Sequence, residues 1–266
     1  MKKRIIIGIA IAAYSIGCSQ AQFHKSHPSS ALIDGNLTEW ADQLVVPDGS
    51  KIAVGIKHDD KNIYVALGLI ERMTVMQAVT RGFIIWFDPT GKKKREVGIH
   101  YPLQDKNRPP MGMEMGQAQM NPEEMEYILQ TQLENQYFFE YLEDEGKSIQ
   151  QIGLENDLGI KIKAQYKFGE FSYELQIPYA IVGENIDANT NISIGITTPE
   201  MSREDMGMQN RPEDGGMGGQ RPSGGGSRGG GMGRGGGGKG GPGGGRSGMQ
   251  RSEPLDLWLN VGFDNK

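Results

Sequence analysis

The chain predicts an all-β fold, an antiparallel β-sandwich of the jelly-roll or immunoglobulin-like kind, with a helical insertion and a long disordered Gly-rich loop. Three observations predict it. Apolar and polar residues alternate with period two in many short segments. Turn-forming residues separate those segments at regular intervals. Only one stretch carries a full set of helix-start signals, so a parallel α/β fold lacks the helices it needs.

The clearest alternation is "GIKIKAQYKF", with Ile160, Ile162, Ala164, Tyr166 and Phe168 on one face and Lys161, Lys163, Gln165 and Lys167 on the other. A turn at Gly169 leads into "EFSYELQIP", through Phe171, Tyr173, Leu175 and Ile177. Together they read as a hairpin with one wet face. Earlier, "KIAVGIKHD" and "NIYVALGLI" flank the turn Asp59–Asn62, and "GFIIWFDPTGKKKREVGIHYP" gives two strands around Asp88-Pro89-Thr90-Gly91. "NISIGITTP" and the C-terminal "EPLDLWLNVGF" supply two more. The last alternates through Leu255, Leu257, Leu259, Val261 and Phe263 and reads as a core strand.

Two insertions interrupt this single sandwich, which is expected over residues 30–266. The first, 104–151, is a Met-rich loop followed by a helix. Asn121 is placed as its N-cap, Pro122 at its first position, and Glu123 and Glu124 in its first turn. Met125, Ile128, Leu129 and Leu133 form a narrow apolar stripe. "FIIWF" is apolar on both faces, so the helix is expected to cover its outer side, above Trp86. The second insertion, 206–252, is rich in Gly, Met and Arg. A core strand follows it, so both its ends return to the sandwich, and closing so long a loop costs only slightly more than closing a moderate one.

The N-terminus has the three parts of an export signal: Lys2, Lys3 and Arg4, then the short apolar run Ile5–Ile16, then small residues. Twelve residues are too few for a helix to span a hydrocarbon core of about 30 Å. Residues 1–21 are therefore read as an export signal, cut before Cys18 if it is of the lipoprotein type, and its removal is expected to leave an exported protein without a membrane-spanning helix. "SIGC" resembles a bacterial lipobox, with Ser15 where Leu is usual, and implies lipidation of Cys18 at the cell envelope. Cleavage after Ala21 is the alternative and leaves a soluble periplasmic protein. Cys18 is the only cysteine, so no disulfide is expected. The formal net charge is −5, and losing those three positive charges takes it to −8. An acidic, exported chain is a poor partner for nucleic acid.

"ALIDGNLTEW", "KIAVGIKHDDKNIYVALGL", "GFIIWFDPTGKKKREVGIHYP" and "YELQIPYAIVG" follow one another in a recognisable order. They resemble the family 9 carbohydrate-binding module-like (DOMON-related) β-sandwiches of exported bacterial proteins. The resemblance covers most of the chain outside the two insertions. It implies non-catalytic ligand binding, often of a sugar held by aromatic residues, sometimes with a structural calcium. No sugar-gripping residue is carried over from the family, so candidate sites rest on residue chemistry.

A pyranose stacks its C–H face on an exposed aromatic ring, and polar neighbours fix its hydroxyls. Of the three tryptophans, Trp40 is expected in the core. Trp86 is a platform or lies beneath the helix. Trp258 shares its strand face with Asp256 and Asn260, opposite the apolar set, and makes the best candidate platform; an insertion covering it is the alternative. Asp59, Asp60 and Asp88 could ligate calcium or serve only as turn formers. Met111, Met113 and Met115 could bind copper through their soft thioethers, or belong to a biased loop. His24, His27, His58 and His100 show no zinc spacing. "GGSRG" and "GRGGGGKG" match catalytic and phosphate-loop patterns only through glycine content. No catalytic residue is expected. Carbohydrate binding at the cell envelope is the leading expectation; copper binding by Met-rich loops on a scaffold, and a structural or assembly role, are the alternatives.

Overall fold

The computed structural model describes residues 22–104, 121–183, 186, 190–199 and 254–263. The expected export signal with Cys18 and Ala21, the candidate copper ligands Met111, Met113 and Met115, and the 206–252 segment lie outside them. Residues 1–199 with 255–266 form one compact unit, and 200–254 a second, of which only Pro254 is described.

The first unit is a β-sandwich. Its five-stranded sheet has the order β2-β3-β4-β10-β9. These strands are β2 (His27–Pro28), β3 (Ala53–His58), β4 (Asn62–Leu69), β10 (Glu170–Pro178) and β9 (Lys161–Lys167). The seven-stranded sheet has the order β1-β12-β11-β5-β6-β7-β8. It comprises β1 (Gln22–Lys25), β12 (Asp256–Gly262), β11 (Asn191–Thr197), β5 (Phe83–Asp88), β6 (Val97–Tyr101), β7 (Phe138–Glu143) and β8 (Ser148–Gly153). Val54, Ile56, Val65 and Leu67 from one sheet meet Ile85, Phe87, Ile194 and Leu259 from the other in a single buried core. Each fully buried side chain of this kind stabilises the fold by about 1.5–3 kcal/mol.

Most pairings are antiparallel, as the alternation predicts. The exceptions are the N-terminal strands: β1 runs parallel to β12 and β2 parallel to β3. Between them the chain passes from one sheet to the other at Ser26, which is fully buried. The Ser26 hydroxyl donates to the Gly262 carbonyl at 3.1 Å and lies 2.7 Å from His58 Nδ1. One segment thus ties both sheets at that end.

At the opposite end two helices close the sandwich. Helix α1 (Arg72–Arg81) carries the chain from β4 to β5. Glu71 caps it, its carboxylate accepting from the Met73 and Thr74 amides. Helix α2 (Pro122–Glu134) starts where the sequence places it, with Asn121 Oδ1 accepting from the Glu124 amide at 2.7 Å. Leu129 and Leu133 are buried, with Met125 and Ile128 partly so.

The position of α2 differs from expectation. It does not cover the outer side of β5; it lies along the free edge of β9. Gln130 Oε1 accepts from the Tyr166 amide and Glu126 Oε2 from the Phe168 amide, each at 3.0 Å. Gln132 Nε2 donates to the Val79 carbonyl of α1 at 3.1 Å. An edge strand needs its unpaired amides satisfied, and the helix does this with side chains. The insertion boundary also differs, because β7 and β8 inside 104–151 extend the seven-stranded sheet. A one-turn helix, α3 (Tyr179–Val182), follows β10.

Candidate functional site

The outer face of the seven-stranded sheet carries a row of four aligned residues. Trp258 of β12 pairs with Gly195 of β11, Gly195 with Trp86 of β5, and Trp86 with Gly98 of β6. Each indole lies flat on the glycine beside it. A Cβ on Gly195 would sit 2.8 Å from Trp258 Cζ2, and one on Gly98 2.7 Å from Trp86 Cε3. Only a residue without a side chain lets a ring settle onto neighbouring backbone in this way.

The two rings end in different environments. Trp86 is 2% exposed. Its Nε1 donates to Thr197 Oγ1 at 3.1 Å, and the Arg95 guanidinium stands 5.8 Å from the ring centre. The 3-10 turn Asp144–Gly146 folds over it, close enough that a Cβ on Gly146 would be 3.7 Å from Trp86 Cη2. Trp86 is therefore covered by the β7–β8 turn and Arg95 rather than by α2, and presents no face to a ligand.

Trp258 is only half-buried, and Asp256 beside it is exposed. The indole Nε1 donates to Asp256 Oδ1 at 2.9 Å, which fixes the ring's tilt. On its other side Asn260 Oδ1 accepts from the Ser193 hydroxyl at 2.9 Å. The structure thus brings Trp258, Asp256 and Asn260 together on the outer face, as the alternation of β12 implies, and adds Ser193 and Gly195. Those two belong to another strand, and only cross-strand register reveals them.

The third tryptophan repeats the device on the other sheet. Trp40, 0% exposed, lies on Gly55 of β3, where a Cβ would be 2.8 Å from its Cε3. Its Nε1 donates to Glu174 Oε1 at 2.7 Å. Glu174 Oε2 accepts from the amides of Asp34 at 3.0 Å and Gly35 at 2.6 Å. The "IDG…EW" segment is thus a loop whose amides and indole close over a carboxylate, with Leu37, Trp40, Tyr64 and Ala66 forming a second small core. Lys57 stands 4.4 Å above the Trp40 ring and donates to the Glu39 carbonyl at 3.0 Å. This corrects the expectation of one wet hairpin face: on β10, Ser172 and Glu174 are buried under the loop. Burial pushes the Glu174 carboxyl above its ordinary range, against the opposing hydrogen bonds from Trp40, Gly35 and Asp34.

The aspartates proposed for calcium are engaged by their own turns. Asp88 is fully buried; its Oδ1 accepts from the Thr90 amide and hydroxyl, its Oδ2 from the Lys92 and Lys94 amides. Burial pushes its pKa up, but the hydrogen bonds from Lys94, Thr90 and Lys92 outweigh that and hold it below the usual value. Asp59 is alike. Its Oδ1 accepts from the Lys61 and Asn62 amides and its Oδ2 from the Tyr64 hydroxyl, and these bonds outweigh burial and depress its pKa. Asp60 is exposed. Asp59 and Asp88 stand on hairpins of different sheets, and among the described residues no three His, Cys, Asp or Glu side chains gather as a metal site. Nor is any described helix long and apolar enough to cross a membrane.

The chain is similar to two solved structures of a family 9 carbohydrate-binding module from Caldicellulosiruptor kristjanssonii, one in complex with glucose and one with cellotriose. Each is 10% identical with a TM-score of 0.34, and the match covers 69% of this chain and 81% or 80% of the other. No family model and no curated protein matches the chain. The functional argument therefore rests on the side chains themselves.

Proposed function

We propose that this protein is a non-catalytic binding module of the cell envelope that holds a carbohydrate on the outer face of its seven-stranded sheet. The observation that supports this reading is the half-open indole of Trp258, held on Gly195 and tethered to Asp256. A sugar ring laid on the free face of that indole contributes C–H contacts. Asp256 accepts hydroxyl hydrogen bonds, and the half-buried Asn260 amide, its Oδ1 held by the buried Ser193 hydroxyl, offers its NH2 group as donor. The platform needs no metal, because the ring is already oriented by its own strand.

The test is a glycan-array screen of the processed protein, with and without added calcium. A specific hit that Trp258→Ala abolishes while the thermal midpoint holds supports the reading. A hit that survives Trp258→Ala sinks the proposed site, and a blank array with folded protein sinks the ligand class.

A further inference from the structure

Among the described residues, six of the eleven exposed large apolar side chains lie at one end of the sandwich. Ile70 follows β4, and Met73 begins α1. Phe168 occupies the β9–β10 turn, and its amide is held by Glu126, next to Tyr127 on α2. Tyr137 and Phe138 open β7 at the same end, where β6 finishes at Tyr101. Phe168 is 86% exposed, Ile70 79% and Tyr127 73%. Phe168 also has φ of +54°, a region that bulky residues rarely occupy. A ring pushed outward from a strained turn is a display rather than leftover core.

The N-terminal strand indicates what this end faces. Gln22 pairs with Leu259 midway along β12, and β1 runs parallel to it. The chain therefore enters the sheet from the Asp256 end, the end that carries α1 and the exposed cluster. Four residues, Cys18 to Ala21, precede Gln22. Extended, they reach about 13 Å, enough to set Cys18 at the rim of the same end. Lys167 stands 5.1 Å from the Phe168 ring and Arg72 opens α1, while Lys51 lies 4.0 Å from Glu71 and Glu126 holds the Phe168 amide, so the rim carries both signs. The long stems of Lys167 and Arg72 can rest on apolar surface while their charges stay in water, as side chains at an interface do.

We propose that this end is a membrane-contacting face, resting on the lipid bilayer to which a lipid at Cys18 would tether the chain; this rests on the lipobox reading of "SIGC". Phe168 and Ile70 enter the interface, with Tyr127 and Met73 beside them. The sheet carrying Trp258 then stands roughly along the membrane normal. The proposal is independent of the ligand held at Trp258.

The test uses a chain beginning at Gln22, which contains every described residue and lacks both the apolar signal and the anchor. It is sedimented with vesicles of phosphatidylethanolamine and phosphatidylglycerol. We expect it to pellet with lipid, and the pair Ile70→Asp, Phe168→Asp to weaken binding by roughly tenfold. Ile149→Asp, at an exposed apolar position on β8, leaves binding unchanged. Both altered positions are exposed, and Asp tolerates positive φ, so thermal midpoints of the variants should match the parent and serve as the folding control. A parent chain that stays in the supernatant overturns the proposal. So does equal binding by the double variant. A dimer in solution that the double variant converts to monomer assigns the face to a second copy instead, and also overturns it.

Discussion

The two outer faces of this sandwich use the same device for opposite ends. On the five-stranded sheet, Trp40 lies on Gly55 and gives its N–H to Glu174, and a loop seals the pair from water. On the seven-stranded sheet, Trp258 lies on Gly195 and gives its N–H to Asp256, and among the described residues no loop closes over it. The sealed version stabilises; the open version presents a surface. What separates them is whether the carboxylate keeps its water. Glu174 has lost it and depends on backbone amides and the Trp40 N–H, whereas Asp256 is exposed and retains it.

That comparison can be broken by substitution. Trp40→Ala should have the largest effect, costing about 3–5 kcal/mol by the loss of a buried aromatic, read as a lowered denaturation midpoint. Glu174→Gln should cost about 1–3 kcal/mol, since an NH2 group replaces one acceptor opposite the Trp40, Asp34 and Gly35 donors. Gly55→Ala should cost about 1–3 kcal/mol because Trp40 cannot yield beneath its loop. Gly195→Ala should cost less than Gly55→Ala, since Trp258 can swing outward, and under the proposed function it would also weaken sugar binding by tilting the ring. Equal losses from the two glycines would show that Trp258 is as confined as Trp40. Trp258→Ala should change stability least, by under about 1 kcal/mol, in the same denaturation experiment.

Acidity separates the carboxylates further. Glu174 has a raised pKa, so the stability it contributes is fully present below the ordinary carboxylate value and is lost as pH rises through the raised one. Asp59 and Asp88 have lowered values; their contribution is present above the ordinary value and is lost as pH falls through the depressed one. Mild acidification should therefore relieve the sealed face before stronger acid weakens the two hairpin turns. In Glu174→Gln the mildly acidic gain should vanish while the strongly acidic loss remains, a pattern that thermal melts across pH would reveal.

Much of the fold was legible in the sequence because alternation reports burial directly. The β3–β4, β5–β6 and β9–β10 hairpins and strand β12 all lie where period-two patterning puts them, and Asn121 caps α2. Helix α1 was not legible, because its cap is Glu71 rather than a short Ser, Thr, Asp or Asn side chain, and its apolar stripe of Val75, Ala78 and Val79 is slight. Strands β7 and β8 were hidden by exposed Phe138 and Ile149, which blur their alternation. Of the candidate site, Trp258, Asp256 and Asn260 share a face by strand parity alone. Gly195, Ser193 and the covering of Trp86 depend on register between strands far apart in sequence, which no local pattern encodes. Glu174 reads as a wet-face residue until the distant "IDG" loop folds over it.

The bond between Ser26 and Gly262 spans 236 positions of the chain. Strand β1 finds its neighbour in β12, with every other strand of both sheets between them along the chain. A polypeptide emerging N-terminus first cannot finish its seven-stranded sheet until β12 has appeared. Strand β1 must wait unpaired while the ten strands between them are made. Such long-range pairing makes for slow closure, because the chain between β1 and β12 has to be gathered before their contacts can form.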